Sequence, residues 1–133
     1  MTINFVFINV SSKNVAAARE FYTKLGFDIN KDFSSEENVF VILNANTQLI
    51  ICHEDFLKRL GEKREFADAT KVTEGSVAIS MASREEVDTL YDAAIGAGAK
   101  PAGDQHEEEI GLYARAFFDL DGHKIDVNYM PAQ

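Results

Sequence analysis

Two hydrophobic rhythms alternate along this chain, one with the period of a strand and one with the period of a helix. Phe5 to Val10 is apolar and rich in β-branched and aromatic residues, as strands are. Ser11-Ser12 follows as a candidate N-cap. Val15, Ala18, Phe21, Tyr22 and Leu25 then recur at spacings of three and four, the buried stripe of one helix. Gly26 stands where a helix commonly ends in a left-handed residue. Phe27 to Phe33 reads as extended, Ser34 to Asn38 as a turn and Val39 to Leu43 as a strand. Asn44-Ala45-Asn46 turns the chain into a fourth strand, Thr47 to His53.

The plan then repeats. Ser76 to Met81 is a strand, and Ser83 with Glu86 three residues on is a capping box. Val87, Leu90, Tyr91, Ala94 and Ile95 form the next helical stripe, which Gly96 and Gly98 end. Ala99 to Ala102 is a short, weak strand and Leu112 to Phe118 a clear one. Asp121-Gly122 is a hairpin turn signal before the closing strand, Lys124 to Met130. Ser12 and Ser83 stand 71 residues apart, Gly26 and Gly98 stand 72 apart, so one half lies on the other at a nearly constant offset. The pattern predicts an α+β domain of two tandem βαβββ modules, residues 1–53 and 74–133, joined by a linker, 54–73. Within the linker, Phe56, Leu57 and Leu60 suggest a short helix ending at Gly61, and Glu62-Lys63-Arg64-Glu65 should be exposed.

A sheet with one helix on it leaves its other face in need of a partner. Two such sheets side by side are expected to form a curved sheet around a cleft. Its walls would be alternate residues of Phe5–Asn9, Gln48–Cys52, Ser76–Ser80 and Lys124–Asn128, and clefts between modules are favoured ligand sites. Along the closing strand Ile125, Val127 and Tyr129 lie on one face, and Lys124, Asp126, Asn128 and Met130 on the other. Two readings of the even face are open. If it lines the cleft, Asp126 is a carboxylate in a partly apolar hollow, where burial raises a carboxyl's pKa and suits it to acid–base work or metal ligation. If it meets solvent, it is an ordinary polar strand face. The aromatics Phe5, Phe7, Phe40, Tyr113, Phe117 and Phe118 belong mostly to the core, and any on the cleft face would offer a ligand flat apolar walls.

Composition narrows the partners. The 133 residues are enough for one domain, and 46% hydrophobic against 26% charged is ordinary for a globular protein. Thirteen basic and 22 acidic residues give a net charge of −9, which repels phosphate backbones and anionic lipid. Neither nucleic acid nor membrane is expected as a partner, and a cationic small molecule would be favoured at long range. The N-terminus reads as a strand and not as a signal peptide. No apolar run approaches the roughly 18 residues of a membrane span. The expected location is the cytoplasm. The single cysteine, Cys52, reads as a buried strand residue.

The other polar clusters have bland readings. His53-Glu54-Asp55 and His106-Glu107-Glu108-Glu109 lack the spacing that fixes a metal and read as solvated loops. His123 reads as a structural hydrogen-bonding residue. Asp119-x-Asp121-Gly122 lacks the frame of a calcium loop. Gly96-Ala97-Gly98 ends a helix and so cannot cradle phosphate at its start.

The stretch Glu20-Phe21-Tyr22-Thr23-Lys24-Leu25-Gly26-Phe27 is similar to the "FY…LGF" helix of glyoxalase-like proteins. Phe118-Asp119-Leu120-Asp121-Gly122-His123-Lys124-Ile125-Asp126 resembles their hairpin before the last strand. Glu54-Asp55-Phe56-Leu57 through Ala67-Asp68-Ala69-Thr70-Lys71 resembles a bacterial branch described as lactoylglutathione lyases. Nearly the whole chain therefore resembles the vicinal-oxygen-chelate superfamily of glyoxalases, bleomycin-resistance proteins and dioxygenases. The resemblance implies a metal held at four positions, which here are Phe5, Ile50, Ser76 and Asp126, with Gln48 two residues from Ile50 on the same face. Asp126 alone is a good ligand, and one carboxylate with a serine cannot hold Zn²⁺, Ni²⁺ or Fe²⁺ in an open site. The expectation is no metal cofactor, with Phe5, Gln48, Ile50, Ser76 and Asn128 as ligand-binding residues and Asp126 as the one candidate for catalysis. Three functions stay open: a lactoylglutathione lyase-type enzyme with Asp126 as base, a metal-free protein that binds or sequesters a small molecule, and a metal-free enzyme using Asp126, Ser76 or His53. Members of the family commonly pair, so a homodimer is expected.

Overall fold

Asn14, and not Ser12, opens the first helix. In the computed structural model, which describes residues 1–108 and 111–131, the Ala17 amide donates to Asn14 Oδ1 at 3.0 Å. Ser12 Oγ accepts from the Asn14 amide one step earlier. A side-chain oxygen at the cap satisfies one of the amides that a helix start leaves free. Helix α1 runs Val15–Lys24, and Val15, Ala18, Phe21 and Tyr22 are its buried face, as the stripe predicts. Gly26 closes it at φ 97°, a left-handed conformation that costs glycine little.

The chain divides into two compact units, Met1–Phe66 and Ala67–Gln133. In the first, strands β1 (Val6–Ser12), β2 (Asp28–Ile29), β3 (Asn38–Asn44) and β4 (Thr47–His53) form one sheet in the order β1-β4-β3-β2. β1 lies parallel to β4, and the other pairs are antiparallel. Val39 stands opposite Ile51 and Val41 opposite Leu49. All four are almost fully buried, which marks the face that α1 covers. The long extended run expected at Phe27–Phe33 shrinks to Asp28–Ile29, because Asn30 turns the chain. Its Oδ1 accepts from the Asp32 amide and its carbonyl from Ser34 Oγ, local bonds that compete with a sheet ladder.

The second unit holds β5 (Ser76–Ser80), α3 (Arg84–Gly96), β6 (Lys100–Pro101), β7 (His106–Glu107), β8 (Tyr113–Phe118) and β9 (Lys124–Tyr129). The sheet order is β5-β9-β8-β6, with β7 also on β8. β5 is parallel to β9, as β1 is to β4, so both units follow the predicted βαβββ plan, the second with the short β7 added. The Glu86 amide donates to Ser83 Oγ at 3.2 Å. The Glu86 carboxylate accepts from Ala82 rather than Ser83, so the capping box forms with its return bond moved by one residue. His106 and Glu107, expected in a loop, pair with Ala114 and Tyr113 along the outer edge of β8. Glu109 of the same run lies outside the described residues.

Helix α3 is tied to its sheet by a polar group of four. Tyr113 Oη donates to Asp88 Oδ1 at 2.5 Å, and Arg115 Nη1 donates to the same oxygen at 3.0 Å. The Arg115 guanidinium lies 3.7 Å from the centre of the Tyr91 ring. The Tyr113 hydroxyl beside it, and then Arg115, hold the Asp88 carboxyl below the usual range.

The expected linker is shared between the units. Helix α2 (Glu54–Arg59) starts as β4 ends, with His53 as its cap and the Asp55 amide donating to His53 Nδ1 at 3.2 Å. Arg59 reaches both carboxylate oxygens of Glu37 at 2.7 and 2.6 Å. Leu60, an apolar residue expected within the helix, falls at its C-cap and is exposed. In the second unit Asp68 Oδ1 accepts from Thr70, and the Ala69 carbonyl sits 2.6 Å from where a side chain on Gly122 would begin. Among the described residues no helix is long and apolar enough to cross a membrane.

Candidate functional site: the open faces of two sheets

The face of the first sheet turned away from α1 is largely aromatic and apolar, with Asp28 at its β2 edge opposite Ile42. Register sets Phe7 beside Gln48 and Ile42, Asn9 beside Ile50 and Phe40, and Ser11 beside Cys52 and Asn38. The rings of Phe5 and Phe7 stack 5.8 Å apart at 9°. Phe40 meets Phe7 edge-on at 6.3 Å and Phe33 at a tilt of 56° at 5.9 Å. Phe5, Phe7 and Phe33 are 49%, 46% and 64% exposed, a large apolar surface to leave in water. Asn30 Nδ2 donates to Gln48 Oε1 at 3.4 Å, and Gln48 and Ile50 are buried in the floor. Phe5 stands one residue ahead of β1, so Phe7 is the aromatic within the strand ladder. Burial pushes the Cys52 thiol up to about 11.

In the second unit the odd residues of β9 belong to the helix side. Tyr113 and Arg115, which reach Asp88 of α3, stand opposite Tyr129 and Val127. Lys124, Asp126 and Asn128 therefore share the other face. Ser76 and Phe118 flank Lys124, Ala78 and Ala116 flank Asp126, and Ser80 and Ala114 flank Asn128. Lys124 Nζ is 3.4 Å from Asp126 Oδ1, with the two side chains 34% and 29% exposed. Asn128 Oδ1 is shut off from solvent and accepts no hydrogen bond. Ser76 and Asp126 share this face at a diagonal, since the residue opposite Ser76 is Lys124.

The four residues that the resemblance would assign to an ion, Phe5, Ile50, Ser76 and Asp126, thus carry two hydrocarbon side chains, a neutral hydroxyl, and a carboxylate that already has an ammonium beside it. Lys124 is the neighbour of Asp126 whose ion pair the sequence reading did not draw. The signal was present, since residues i and i+2 of a strand point the same way.

The remaining polar clusters have structural work. His123 is buried, and its Nδ1 pairs with Glu74 Oε1 at 2.5 Å. Asp119 Oδ1 accepts from the amides of Asp121 and His123, binding the hairpin turn together. Asp119, Asp121 and His123 bring ligand atoms within 4.8 Å of one another, a consequence of that turn. His53 caps α2. His106 Nε2 pairs with Glu108 at 2.7 Å on the exposed edge.

The profile of the Glyoxalase/Bleomycin resistance protein/Dioxygenase superfamily matches residues 3–127. Comparison with curated proteins finds no match. Among solved structures the chain is similar to hypothetical protein SA1046 from S. aureus, with 22% identity, 97% of this chain and 94% of that one covered, and a TM-score of 0.77. A glyoxalase-related enzyme from Fulvimarina pelagi shares 18% identity over 95% and 87% of the two chains, with a TM-score of 0.78. A lactoylglutathione lyase from Agrobacterium tumefaciens shares 17% over 94% and 92%, with a TM-score of 0.70. At these identities the likeness is one of fold. With two βαβββ units and a profile that spans nearly its whole length, the chain belongs to the glyoxalase/bleomycin resistance/dioxygenase superfamily.

Proposed function

We propose that this chain binds a small organic molecule on the open faces of its sheets without a metal ion. One observation carries the reading: the positions that would hold an ion supply no set of donors. Phe5 and Ile50 have none, Ser76 offers a neutral hydroxyl, and Asp126 has Lys124 as counter-ion at 3.4 Å. A divalent ion in an open site needs three or more protein donors. The exposed Phe5, Phe7 and Phe33 beside the amides of Asn9 and Gln48 suit a flat, mostly apolar ligand.

A lactoylglutathione lyase-type reaction fits these residues less well, because the oxyanion it develops needs an electrophile that the ion positions do not hold. The test is metal content after purification without chelator, with a lyase assay in the presence of added Zn²⁺, Ni²⁺ or Co²⁺. Metal far below one equivalent and no activity are expected. A stoichiometric ion, or turnover lost in Asp126→Asn, would overturn the reading.

The same reading places the protein in the cytoplasm as a homodimer. Supporting the dimer, each sheet ends on a strand with one hydrogen-bonded neighbour, β1 and β5, and unpaired strand edges invite pairing.

A further inference from the structure

We propose that Asp126 and Asn128 form a recognition site for a primary ammonium group, and that Lys124 is its intramolecular placeholder. This rests on the metal-free binding reading and names the chemistry of the ligand. Three observations meet on one strand face. Asp126 already holds an ammonium, that of Lys124, at 3.4 Å. Two residues further along the same face, Asn128 Oδ1 is enclosed and accepts no hydrogen bond, although buried carbonyl oxygens nearly always find a donor. The neighbours of both across the sheet are small: Ala78 and Ala116 beside Asp126, Ser80 and Ala114 beside Asn128. Ammonium supplies three donors and accepts nothing. A carboxylate and an amide oxygen side by side, with a serine hydroxyl across from the amide, offer acceptors to match.

Lys124 holds the place loosely. The pair is about one-third exposed on each side, and a contact of that kind is worth little in water. A ligand ammonium arriving with an apolar body can displace it, and the Asn128 amide can turn to meet the second donor. The net charge of −9 draws such a cation and repels its anionic analogue.

The experiment is calorimetric titration of the full chain with three probes of one shape: benzylamine, benzyl alcohol and phenylacetate. Benzylamine should bind tightest and phenylacetate weakest. The isosteric Asp126→Asn should weaken benzylamine about tenfold or more, and benzyl alcohol, which carries no charge, much less. Lys124→Met should tighten benzylamine about two- to fivefold, and Lys124→Arg, which keeps a competing cation, should not. Equal binding of the three probes, or weaker benzylamine binding in Lys124→Met, overturns the ammonium site and leaves the metal-free binding reading standing. Binding of no probe to any variant overturns both. Circular dichroism of each variant separates loss of binding from loss of fold.

Discussion

Cys52 shows how position alone decides a residue's chemistry. It lies in β4 between Ser11 and Asn38, is almost fully buried, and its thiol is pushed up to about 11. Thiolate is the reactive form, so native protein at pH 8 should resist a thiol reagent such as iodoacetamide and react in full once unfolded in guanidinium. Fast labelling of the native protein would mean that β4 opens. Burial of this residue was legible in the sequence, because a strand pattern surrounds it. The ion pair at Asp126 was half legible: the alternation put Lys124 on the same face, but whether that face was open depended on where α3 packs. The Glu74–His123 contact was not legible, since 49 residues separate its partners and only the parallel pairing of β5 with β9 brings them near. Asn14 was overlooked as a cap because Ser11-Ser12 stood first in line.

Elements are held by polar groups as well as by their stripes. Asp88 joins α3 to β8 through Tyr113 and Arg115, and these hold its carboxyl below the usual range. A depressed carboxyl contributes stability that is present above its unfolded value and is lost as pH falls through its folded one. Urea denaturation should therefore show Asp88→Asn weaker than wild type at pH 7, by less than ~1 kcal/mol for so exposed a carboxylate. The difference should close below about pH 4, near the ordinary aspartate value. A constant difference from pH 7 to pH 3 would mean that the helix is tied by Tyr113 and Arg115 without the charge. The hairpin before β9 depends on Gly122, which has φ 89° and the Ala69 carbonyl 2.6 Å from its missing side chain. Gly122→Ala adds left-handed strain to a backbone clash and should cost ~2 kcal/mol or more, seen as a melting temperature lower by ~5 °C or more. The Asp-Gly turn signal predicted the bend. The neighbour that forbids a side chain comes from the segment 54–73, and no local pattern announces it.

At the scale of the whole molecule, the βαβββ repeat was the most legible feature, because cap, stripe, glycine and hairpin recur in the same sequence in both halves. The short strands β2, β6 and β7 were the least legible. Each has two residues, too few for a period, and each exists because a neighbouring strand offers an edge. Sedimentation equilibrium at micromolar concentration should give about twice 14.8 kDa if exposed strand edges pair as expected. A single species of 14.8 kDa would end the dimer. The segment 54–73 divides between the two units. Its first part, α2, is fastened to the first sheet by Arg59 and Glu37, its last part lies on the turn at Gly122, and residues 60–65 form an unbroken exposed run between them. Chain breaks, added loops or relocated termini are tolerated where the backbone serves no packing. A protease that nicks this stretch should leave two fragments that still hold their sheets, and a gene cut here could be re-expressed as two pieces.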